Sequence, residues 1–323
     1  MFDLSIVIVA YKSKDHLAVL LPSVFASDGI NFNPNPLHQS SDSGTGQANP
    51  LPEGEGGRFS AEVVVVDNGS NDGTIEWLSA NRYPLTAIAG TNVGFSAGNN
   101  IGIKQSSGKY ILLLNPDTKL EPDTLETMLG FMESRPDVGI SGCKLIKGNG
   151  KLDLACRRRF PNPLNSFARL FLRNNKNYNY SDISENQEME VDSVVGAFLL
   201  IRKSALSFFS SPSGGGQGGG GPLDEDFFMY GEDLDLCWRC KEAGFKVWYY
   251  PKTFITHYKG ESSRKAPFIM LKAFHDSMWI FYKKHYREQY PFFLNWLVYL
   301  GIYSRLGGLV FINLFKSDPR VSK

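Results

Sequence analysis

Short, unbroken runs of apolar residues alternate with segments of helical periodicity through the first part of the chain. The apolar runs are Leu4–Val9, Glu62–Val66, Leu85–Ala89 and Tyr110–Leu114. Continuous apolar runs are typical of strands that are buried on both faces of a sheet. Helices are predicted between them, at residues 14–26, 73–81, 94–107 and 121–134. This alternation predicts an α/β domain with a mostly parallel sheet flanked by helices.

Two segments interrupt this pattern. Residues 28–60 are rich in Gly, Ser, Asn and Pro, and residues 210–222 are SSPSGGGQGGGGP. Both are predicted to be flexible surface insertions within one domain, either mobile lids or dispensable loops. The N-terminus lacks the basic region and cleavage site of a signal peptide, which favours a cytoplasmic protein.

Polar side chains follow three of the predicted strands. These clusters are Ala10-Tyr11-Lys12, Asp67-Asn68-Gly69-Ser70 and Asn115-Pro116-Asp117. Ligands of open α/β sheets bind beyond the carboxyl ends of the strands, so the clusters predict one shared crevice. There Asp67 can accept hydrogen bonds from a base or ribose, and Asp117 can hold a divalent cation against phosphate oxygens. Each cluster taken alone is equally a common turn.

Composition narrows the class of protein. The 323 residues are 42% hydrophobic and 21% charged, which supports a sizeable core and excludes wholesale disorder. The net charge of +1 argues against a protein that binds nucleic acid through its overall charge. Four cysteines are too few for a disulfide scaffold, and Cys237 and Cys240 form a single CxxC pair that favours a place in the core.

The C-terminal region differs from the rest of the chain. Residues 264–323 carry ten Lys and Arg against three acids, a balance of +7, so the preceding residues carry −6. Helical apolar spacing covers residues 268–286, and residues 291–315 are nearly apolar but are broken by Asn295, Ser304 and Arg305. An Arg near the middle disfavours a membrane span, so we expect interfacial helices with basic flanks on an anionic membrane. A buried helical subdomain or a dimer surface is the alternative.

Several motifs occur together and in order. They are VVVVDNGSNDGT (63–74), NVGFSAGNNIGI (92–103), YILLLNPDT (110–118), VVGAFLLIRKSAL (194–206), DEDFFMYGEDLDLCWRCKEAGFKVWYYP (224–251) and the stretch from His257 to Ser262. Together they resemble family 2 glycosyltransferases of the GT-A fold, and within them the bacterial rhamnosyltransferases of O-antigen and cell-wall synthesis. The resemblance covers residues 3–263 apart from the two insertions, and it implies the roles given below.

The resemblance implies a nucleotide-sugar donor site. Ala10, Tyr11 and Asp67 would line the base pocket, with Tyr11 stacking near the base and Asp67 bonding to uracil or thymine. At the start of the next helix, the groups expected to face the diphosphate are Asn92, Gly94, Asn99 and Asn100. Many relatives have Arg where Asn99 stands. In this chain that contact carries no charge, so neutralisation of the phosphates depends more on a metal ion.

The resemblance also implies a metal site and a catalytic pair. Asn115 replaces the first carboxylate of the family's metal motif, while Asp117 matches the second and His257 a further ligand for Mg²⁺ or Mn²⁺. A buried structural imidazole is the alternative for His257. Asp233 matches the general base that removes the acceptor's hydroxyl proton, and Glu232 would bind the acceptor or orient its loop.

The surroundings of that pair carry two further expectations. Six acids within residues 224–235 are expected to raise one another's pKa, although an acidic helix start is the simpler interpretation. The aromatic side chains of Phe227, Phe228 and Tyr230 are expected either to form an acceptor wall or to lie in the core.

These implications predict an inverting, metal-dependent enzyme that transfers L-rhamnose from dTDP-rhamnose to a lipid-linked or glycan acceptor in cell-surface polysaccharide synthesis. Residues 1–263 would form the catalytic domain, and residues 264–323 would bring it to the inner face of the plasma membrane. Three alternatives remain: a UDP-sugar donor, a nucleotidyltransferase, and a non-catalytic sugar-nucleotide-binding scaffold. The second needs a glycine-rich loop that residues 11–14 lack, and Asn115 in place of an acid supports the third.

Overall fold

The computed structural model describes residues 1–33, 57–166, 176–209, 221–258 and 267–315. Its strands are β1 Leu4–Ala10, β2 Ile30–Phe32, β3 Phe59–Asp67, β4 Thr86–Ala89, β5 Tyr110–Leu114, β6 Thr118–Leu120, β7 Val138–Lys147, β8 Met189–Glu190, β9 Phe198–Arg202 and β10 Lys246–His257. Its helices include α1 Lys14–Phe25, α2 Thr74–Asn81, α3 Phe95–Lys104, α4 Thr124–Ser134, α5 Lys176–Asn179, α6 Lys203–Phe209, α7 Glu232–Glu242, α8 Pro267–His285 and α9 Phe292–Leu314.

The described strands form one mixed sheet. Its order is β2-β3-β1-β5-β9-β7-β10-β6, with β4 also paired to β3 and β8 to β10. The strands β2, β3, β4, β1 and β5 run parallel, and so do β7 and β10. β9 is antiparallel to both of its neighbours, and β6 and β8 are antiparallel to β10. The predicted α/β fold with a mostly parallel sheet is confirmed.

The centre of the sheet is buried on both faces. Every residue of β1 and β5 is buried, and β3 is buried at all but one position. On one side α3 approaches the sheet closely, because Gly98 and Gly102 lie against the side chains of Val9 and Val7. A Cβ on Gly98 would lie 2.9 Å from Val9 Cγ1, so this helix needs small residues one turn apart.

The register of the sheet gathers many strand ends at one edge. The carboxyl ends of β1, β3 and β5 lie there because these strands are parallel neighbours. The antiparallel β9 begins at the same edge, since Phe198 pairs with Leu114. β7 and β10 end there, and β6 begins there, with Thr118 paired to His257. We call this side of the sheet the carboxyl edge.

The C-terminal helices share a second apolar cluster with the segment around the start of α7. Phe227 and Leu234 pack with Phe281, Tyr282 and Tyr286 of the α8 region. Polar contacts reinforce this packing: Lys284 Nζ lies 2.6 Å from Asp224 Oδ2, and His285 Nε2 lies 2.9 Å from Asp235 Oδ1. α8 is therefore attached directly to the segment that begins α7.

The helix α9 packs on α8 through polar contacts and through the Trp279–Tyr299 ring pair, and much of its remaining surface is exposed. Arg305 Nη1 donates to His275 Nε2 at 2.7 Å, and Tyr303 Oη donates to Asp276 at 3.1 Å. By length and composition this 23-residue helix is apolar enough to cross a membrane, with 11% of its most apolar window buried inside the protein. Arg305 thus faces α8, whereas from the sequence it was considered only as a residue that disfavours a membrane span.

The predicted elements correspond closely to the observed ones over residues 1–134. β1, β3, β4 and β5 all lie where apolar runs predict them, and each of the four predicted helices is present with shorter ends. The predicted insertion at residues 28–60 is too long, because its ends form β2 and the start of β3, which pair with each other. Most of the two predicted insertions, residues 34–56 and 210–220, lies outside the described residues, as do Gly260 and Ser262.

Candidate active site

The ends of β1 and β3 form the first part of a polar site at the carboxyl edge. Ala10 and Asp67 are partners in the strand register, and Asn68 N donates to Ala10 O at 2.8 Å. Tyr11 follows β1 and is 36% exposed, so its ring is accessible to a ligand.

Asp67 is held in one orientation by its own turn. Its Oδ1 accepts from Ser70 N at 3.2 Å and from the Ser70 hydroxyl, which in turn accepts from Lys12 N at 2.8 Å. The side chain is 7% exposed. The turn that follows β3 is thereby linked to the turn that follows β1.

The loop before α3 is ordered by a set of amide contacts. Asn68 Oδ1 accepts from Val93 N at 3.1 Å, and Asn68 Nδ2 donates to Gly94 O at 3.0 Å. Asn92 Oδ1 accepts from Gly94 N at 3.3 Å. Gly94 has φ +92°, and a Cβ there would lie 2.7 Å from Phe228 O, so glycine is required for two reasons.

The start of α3 contacts the loop that precedes α7. Phe95 N donates to Phe228 O at 2.6 Å, and Asn99 Nδ2 donates to Phe95 O at 2.9 Å. Asn100 pairs with the backbone of Leu223 in both directions, at 2.9 and 2.8 Å. The predicted phosphate-facing role of Asn99 and Asn100 therefore differs from the contacts seen here, because both amides are engaged by the helix and by the loop before α7.

A second group of side chains joins β6, β10 and the segment after β7. His257 Nε2 lies 3.4 Å from Asp117 Oδ1, and His257 Nδ1 lies 3.2 Å from Asp153 Oδ2. All three side chains are buried. Burial alone would lower the pKa of His257, but hydrogen bonds that its ring donates to Asp117 and Asp153 raise the pKa above its usual value. Burial likewise opposes ionisation of Asp117, yet the His257 contact lowers the pKa of that carboxyl.

Asn115 and Asp117 offer oxygen ligands at the same place. Asn115 Oδ1 is buried and has no hydrogen-bond partner. Such an acceptor is costly to bury unless something else satisfies it. Across the described ranges, no set of three or more His, Cys, Asp or Glu side chains is arranged to hold a metal ion alone. Any cation here would need further oxygen ligands, which a diphosphate can supply.

Glu232 and Asp233 form the first turn of α7, after Gly231 at φ +86°. Asp233 Oδ2 accepts from Gly196 N at 3.0 Å and lies 2.9 Å from Arg158 Nη2, while its Oδ1 accepts from Leu234 N at 2.8 Å. Asp233 is thus buried and is held by three contacts.

Glu232, unlike Asp233, has a carboxyl oxygen without a hydrogen-bond partner. This oxygen, Oε2, is buried. Burial first, and the charge of Asp233 second, raise the pKa of Glu232 well above that of an ordinary carboxyl. A proton on Glu232 therefore persists to higher pH than on a solvated glutamate.

The remaining acids of residues 224–235 are individually paired, so the expected mutual repulsion does not govern the whole segment. Asp235 is buried, which by itself opposes ionisation, but contacts with His285 and Arg239 lower its pKa. Asp224 and Asp226 both contact Lys284. The structure also separates the aromatic side chains, because Phe227 is fully buried in the second cluster whereas Phe228 is 41% exposed.

Contacts connect the histidine group with the α7 carboxylates. Asn115 N donates to Ala197 O at 3.1 Å, and the adjacent Gly196 N donates to Asp233. From the other side, the segment that begins at Asp153 reaches Asp233 through Arg158. The predicted residues 117, 233 and 257 therefore belong to one connected group at the carboxyl edge.

Sequence reasoning missed two members of this group, Asp153 and Arg158. Asp153 lies in an irregular segment after β7, and Arg158 is the middle residue of three consecutive arginines. Such a run is ordinarily a solvated surface. The informative signal lay in its neighbours, because Cys156 and Phe160 flank the arginines with apolar side chains and so indicate partial burial.

The mixed sheet with its polar carboxyl edge is a fold of the GT-A type. The solved structure of S. aureus TarS 1–349 in complex with UDP-GlcNAc superposes with a TM-score of 0.51 at 15% identity, over 86% of this chain and 65% of that chain. At this identity the likeness shows the fold alone.

Sequence comparison finds similarity to the same class of protein. Residues 58–207 match the family described as Glycosyl transferase family 2. The N-acetylglucosaminyl-diphospho-decaprenol L-rhamnosyltransferase of Mycobacterium tuberculosis is 28% identical over 280 residues, 81% of this chain and 87% of that protein. Rhamnosyltransferase WbbL of Escherichia coli is 28% identical over 210 residues, 63% of this chain and 75% of that protein. Over most of its length the chain is therefore similar to rhamnosyltransferases, and residues 58–207 resemble family 2 glycosyltransferases.

Proposed function

We propose that the chain is an inverting transferase that moves L-rhamnose from dTDP-rhamnose to a lipid-linked acceptor in cell-surface polysaccharide synthesis. The printed names of the two relatives support the sugar, and the mycobacterial name supports an acceptor that carries N-acetylglucosaminyl diphosphate on a polyprenol. The observation that carries the proposal is the connected group of Asp117, His257, Arg158 and Asp233 at the carboxyl edge.

The donor's nucleotide occupies the ends of β1 and β3 in this proposal. The exposed ring of Tyr11 stacks on the base, beside Ala10. Asp67, whose Oδ1 is fixed by Ser70, accepts a hydrogen bond from the imide N–H of thymine. Since uracil has the same N–H, this contact accommodates both dTDP and UDP donors, and the sugar must be selected elsewhere.

A divalent cation, Mg²⁺ or Mn²⁺, fits the residues next to the diphosphate. Asp117 would hold it, the unpartnered Asn115 Oδ1 supplies a second hard oxygen, and His257 Nε2 faces the same carboxylate. When bound, the ion neutralises charge on the departing diphosphate. The sparse protein ligand set agrees with an ion that binds together with the donor.

Asp233 serves as the general base. As the acceptor oxygen attacks the anomeric carbon, its proton passes to Asp233, the new C–O bond forms, and the bond to the diphosphate oxygen breaks. Attack on the face opposite the leaving group inverts the anomeric carbon. Glu232, protonated over a wider pH range, donates a hydrogen bond that orients the acceptor or its loop.

The tail brings this site to a membrane surface. On α9 the exposed apolar side chains include Phe293, Trp296, Leu297, Leu300, Phe311 and Phe315, which recur at helical spacing. The opposite face is occupied by α8 through the Arg305–His275 contact. A one-sided apolar helix with Trp and basic neighbours is typical of an interfacial anchor, so we propose peripheral binding at the cytoplasmic face of the plasma membrane.

A ligand panel tests the proposal. Thermal unfolding is followed with dTDP-rhamnose, UDP-glucose, UDP-galactofuranose and ATP, each with Mn²⁺, with Mg²⁺ and with EDTA. We expect the largest metal-dependent stabilisation with dTDP-rhamnose, followed by slow release of dTDP. Stabilisation without release under any condition would favour the non-catalytic scaffold, and no stabilisation by any nucleotide sugar would contradict the proposal.

A further inference from the structure

Arg158 is a buried cation whose charged partner is Asp233. Its side chain is 10% exposed and that of Asp233 is 8% exposed. The Nη2 atom donates to Val194 O at 2.6 Å and lies 2.9 Å from Asp233 Oδ2. The backbone of Arg158 pairs with Ser193 in both directions at 2.9 Å, so the residue is anchored at main chain and side chain.

The contacts of Asp233 divide its two oxygens into different roles. Oδ2 accepts from Gly196 N and from Arg158, which fills both of its lone-pair sites. Oδ1 accepts from Leu234 N alone, so one of the about four acceptor sites of the carboxylate remains free on Oδ1. An incoming hydroxyl can therefore be received by Oδ1 without displacing a protein contact.

We propose that Arg158 is a positioning residue that pins Oδ2 of Asp233 and keeps the carboxylate charged, so that Oδ1 receives the acceptor's proton. The inference rests on the proposed function, in which Asp233 is the base. The proton moves from the acceptor hydroxyl to Oδ1, the acceptor oxygen bonds to the anomeric carbon, and the electron pair of the broken bond leaves with the nucleoside diphosphate.

The charges around the pair agree with this role. On α7, Glu232 and Cys237 face Asp233, and from outside the helix Arg158 does so, with Tyr178 beside the guanidinium. Burial opposes the charge of Arg158, but Asp233 raises its pKa, so the guanidinium stays charged. Without that cation two adjacent carboxyl groups would share one dry site, and protonated forms would persist to higher pH.

The neighbouring Arg157 provides a matched control. It is also buried, but its guanidinium donates to the backbone carbonyl groups of Ser184 and Ile183 at 2.7 and 2.6 Å and lies over the Tyr249 ring. Its removal should lower stability without touching the Asp233 carboxylate. R157Q therefore separates damage to this segment from loss of the positioning contact.

The test measures dTDP release from dTDP-rhamnose with Mn²⁺ across pH for wild type, R158Q, R158K, R157Q and D233N. We expect R158Q to shift the acidic limb of the pH profile of kcat to higher pH by about 1–3 units. R158K, which keeps the charge but loses the planar fork, should retain the wild-type limb and lower kcat about 10- to 100-fold with unchanged donor KM. R157Q should retain the wild-type limb.

An unmoved limb in R158Q, or wild-type kcat in R158K, overturns the positioning role. If R158Q does not fold, the kcat and KM of R158K decide the question alone. A wild-type enzyme that releases no dTDP, or a D233N variant as active as wild type, overturns the proposed function and this inference with it. Activity lost in D233N with both Arg158 variants normal overturns this inference only.

Discussion

Two adjacent residues, Glu232 and Asp233, occupy one buried turn under opposite electrostatic conditions. Asp233 is compensated by Arg158 and by two backbone N–H groups, whereas Glu232 has an unpartnered oxygen. Burial and the charge of Asp233 raise the pKa of Glu232. This difference in contacts is the reason that we propose Asp233 as the base and Glu232 as the hydrogen-bond donor.

The role of Asp233 predicts a specific loss. D233N keeps the size of the side chain and removes the base, although its amide nitrogen cannot accept a hydrogen bond from one of the two backbone N–H groups. We expect dTDP release to fall at least about 100-fold while donor affinity is unchanged. The matched control is D226N in the same acidic segment, which loses only a partly exposed contact with Lys284 and should remain active. Equal turnover in D233N and wild type would remove Asp233 from the role.

The raised pKa of Glu232 predicts a pH-dependent stability change. The unfolded chain releases this proton near the ordinary carboxyl pKa of 4.5, whereas the folded protein retains it to higher pH. Folding therefore loses stability as pH rises through that window. E232Q should unfold about 2 °C or more above wild type at pH 8, and the two should converge below pH 4.5. A lower melting temperature for E232Q at pH 8 contradicts this account.

Asp117 predicts metal-dependent binding. Truncation in D117A removes the one carboxylate assigned to the cation, so the Kd for dTDP with Mn²⁺ should rise at least about tenfold. Binding in EDTA should be the same as for wild type. D137A, which alters an exposed aspartate before β7 at the other edge of the sheet, serves as the control. Calorimetric Kd values that do not respond to D117A would refute the metal site.

At this scale the sequence predicted the residues that end strands, but not their partners. Asp67 and Asp117 are identifiable because each follows an apolar run. Arg158 and Asp153 are not, because their roles depend on contacts with α7 and β10, which are distant along the chain. A sequence pattern reports local burial, whereas an ion pair between distant segments requires the fold.

Among the elements, α3 acts on the loop before α7. Its first N–H groups and side chains hold that loop: Phe95 N contacts Phe228 O, the Ser96 hydroxyl donates to Phe227 O at 2.6 Å, and Asn100 pairs with Leu223. Of these groups, Asn100 is one that the resemblance implies would face the diphosphate. The N-terminus of a helix commonly binds anions. Here the first turns of α3 contact the loop before α7, which lies more than 120 residues away along the chain.

The contact between Asn100 and the backbone of Leu223 predicts the effect of N100A. The substitution leaves the Leu223 backbone groups unsatisfied in a buried place, so the free energy of unfolding should fall by about 1–3 kcal/mol. Cleavage by protease in residues 221–231 should also become faster. N81A, where an exposed amide contacts its own helix at Trp77 O, is the matched control and should change neither. Unaltered cleavage in N100A would separate α3 from the ordering of this loop.

Elements of the sheet centre were predictable because continuous apolar runs leave little choice of structure. The antiparallel insertion of β9 between β5 and β7 was not, since it depends on pairing between segments far apart in sequence. That insertion matters for the site, because it brings Gly196 and Ala197 to the carboxyl edge.

At the scale of the whole molecule, the C-terminal helices connect the site to a candidate membrane face. α8 contacts the α7 segment through Lys284 and His285, while α9 exposes its apolar stripe on the far side. Charge and hydropathy alone could predict the stripe. They could not predict that α8 shares a cluster with Phe227, since Phe227 lies far from α8 along the chain.

The exposed stripe predicts vesicle binding. The double variant W296S/L300S should cosediment at least about tenfold more weakly with vesicles of phosphatidylglycerol and phosphatidylethanolamine, because it removes two large apolar side chains from the interface. L164S changes a leucine that is 82% exposed elsewhere and should bind like wild type. Equal cosedimentation of all three proteins would argue against α9 as the anchor.

The central claim is that carboxyl groups distant in sequence converge on one nucleotide diphosphate. The most direct measurement is a crystal structure with dTDP and Mn²⁺, with the manganese located by its anomalous scattering. The account predicts one manganese in contact with Asp117 and the diphosphate, the base beside Tyr11 and Asp67, and Asp233 facing the space that the sugar would fill. A nucleotide bound away from the carboxyl edge, or manganese remote from Asp117, would contradict it.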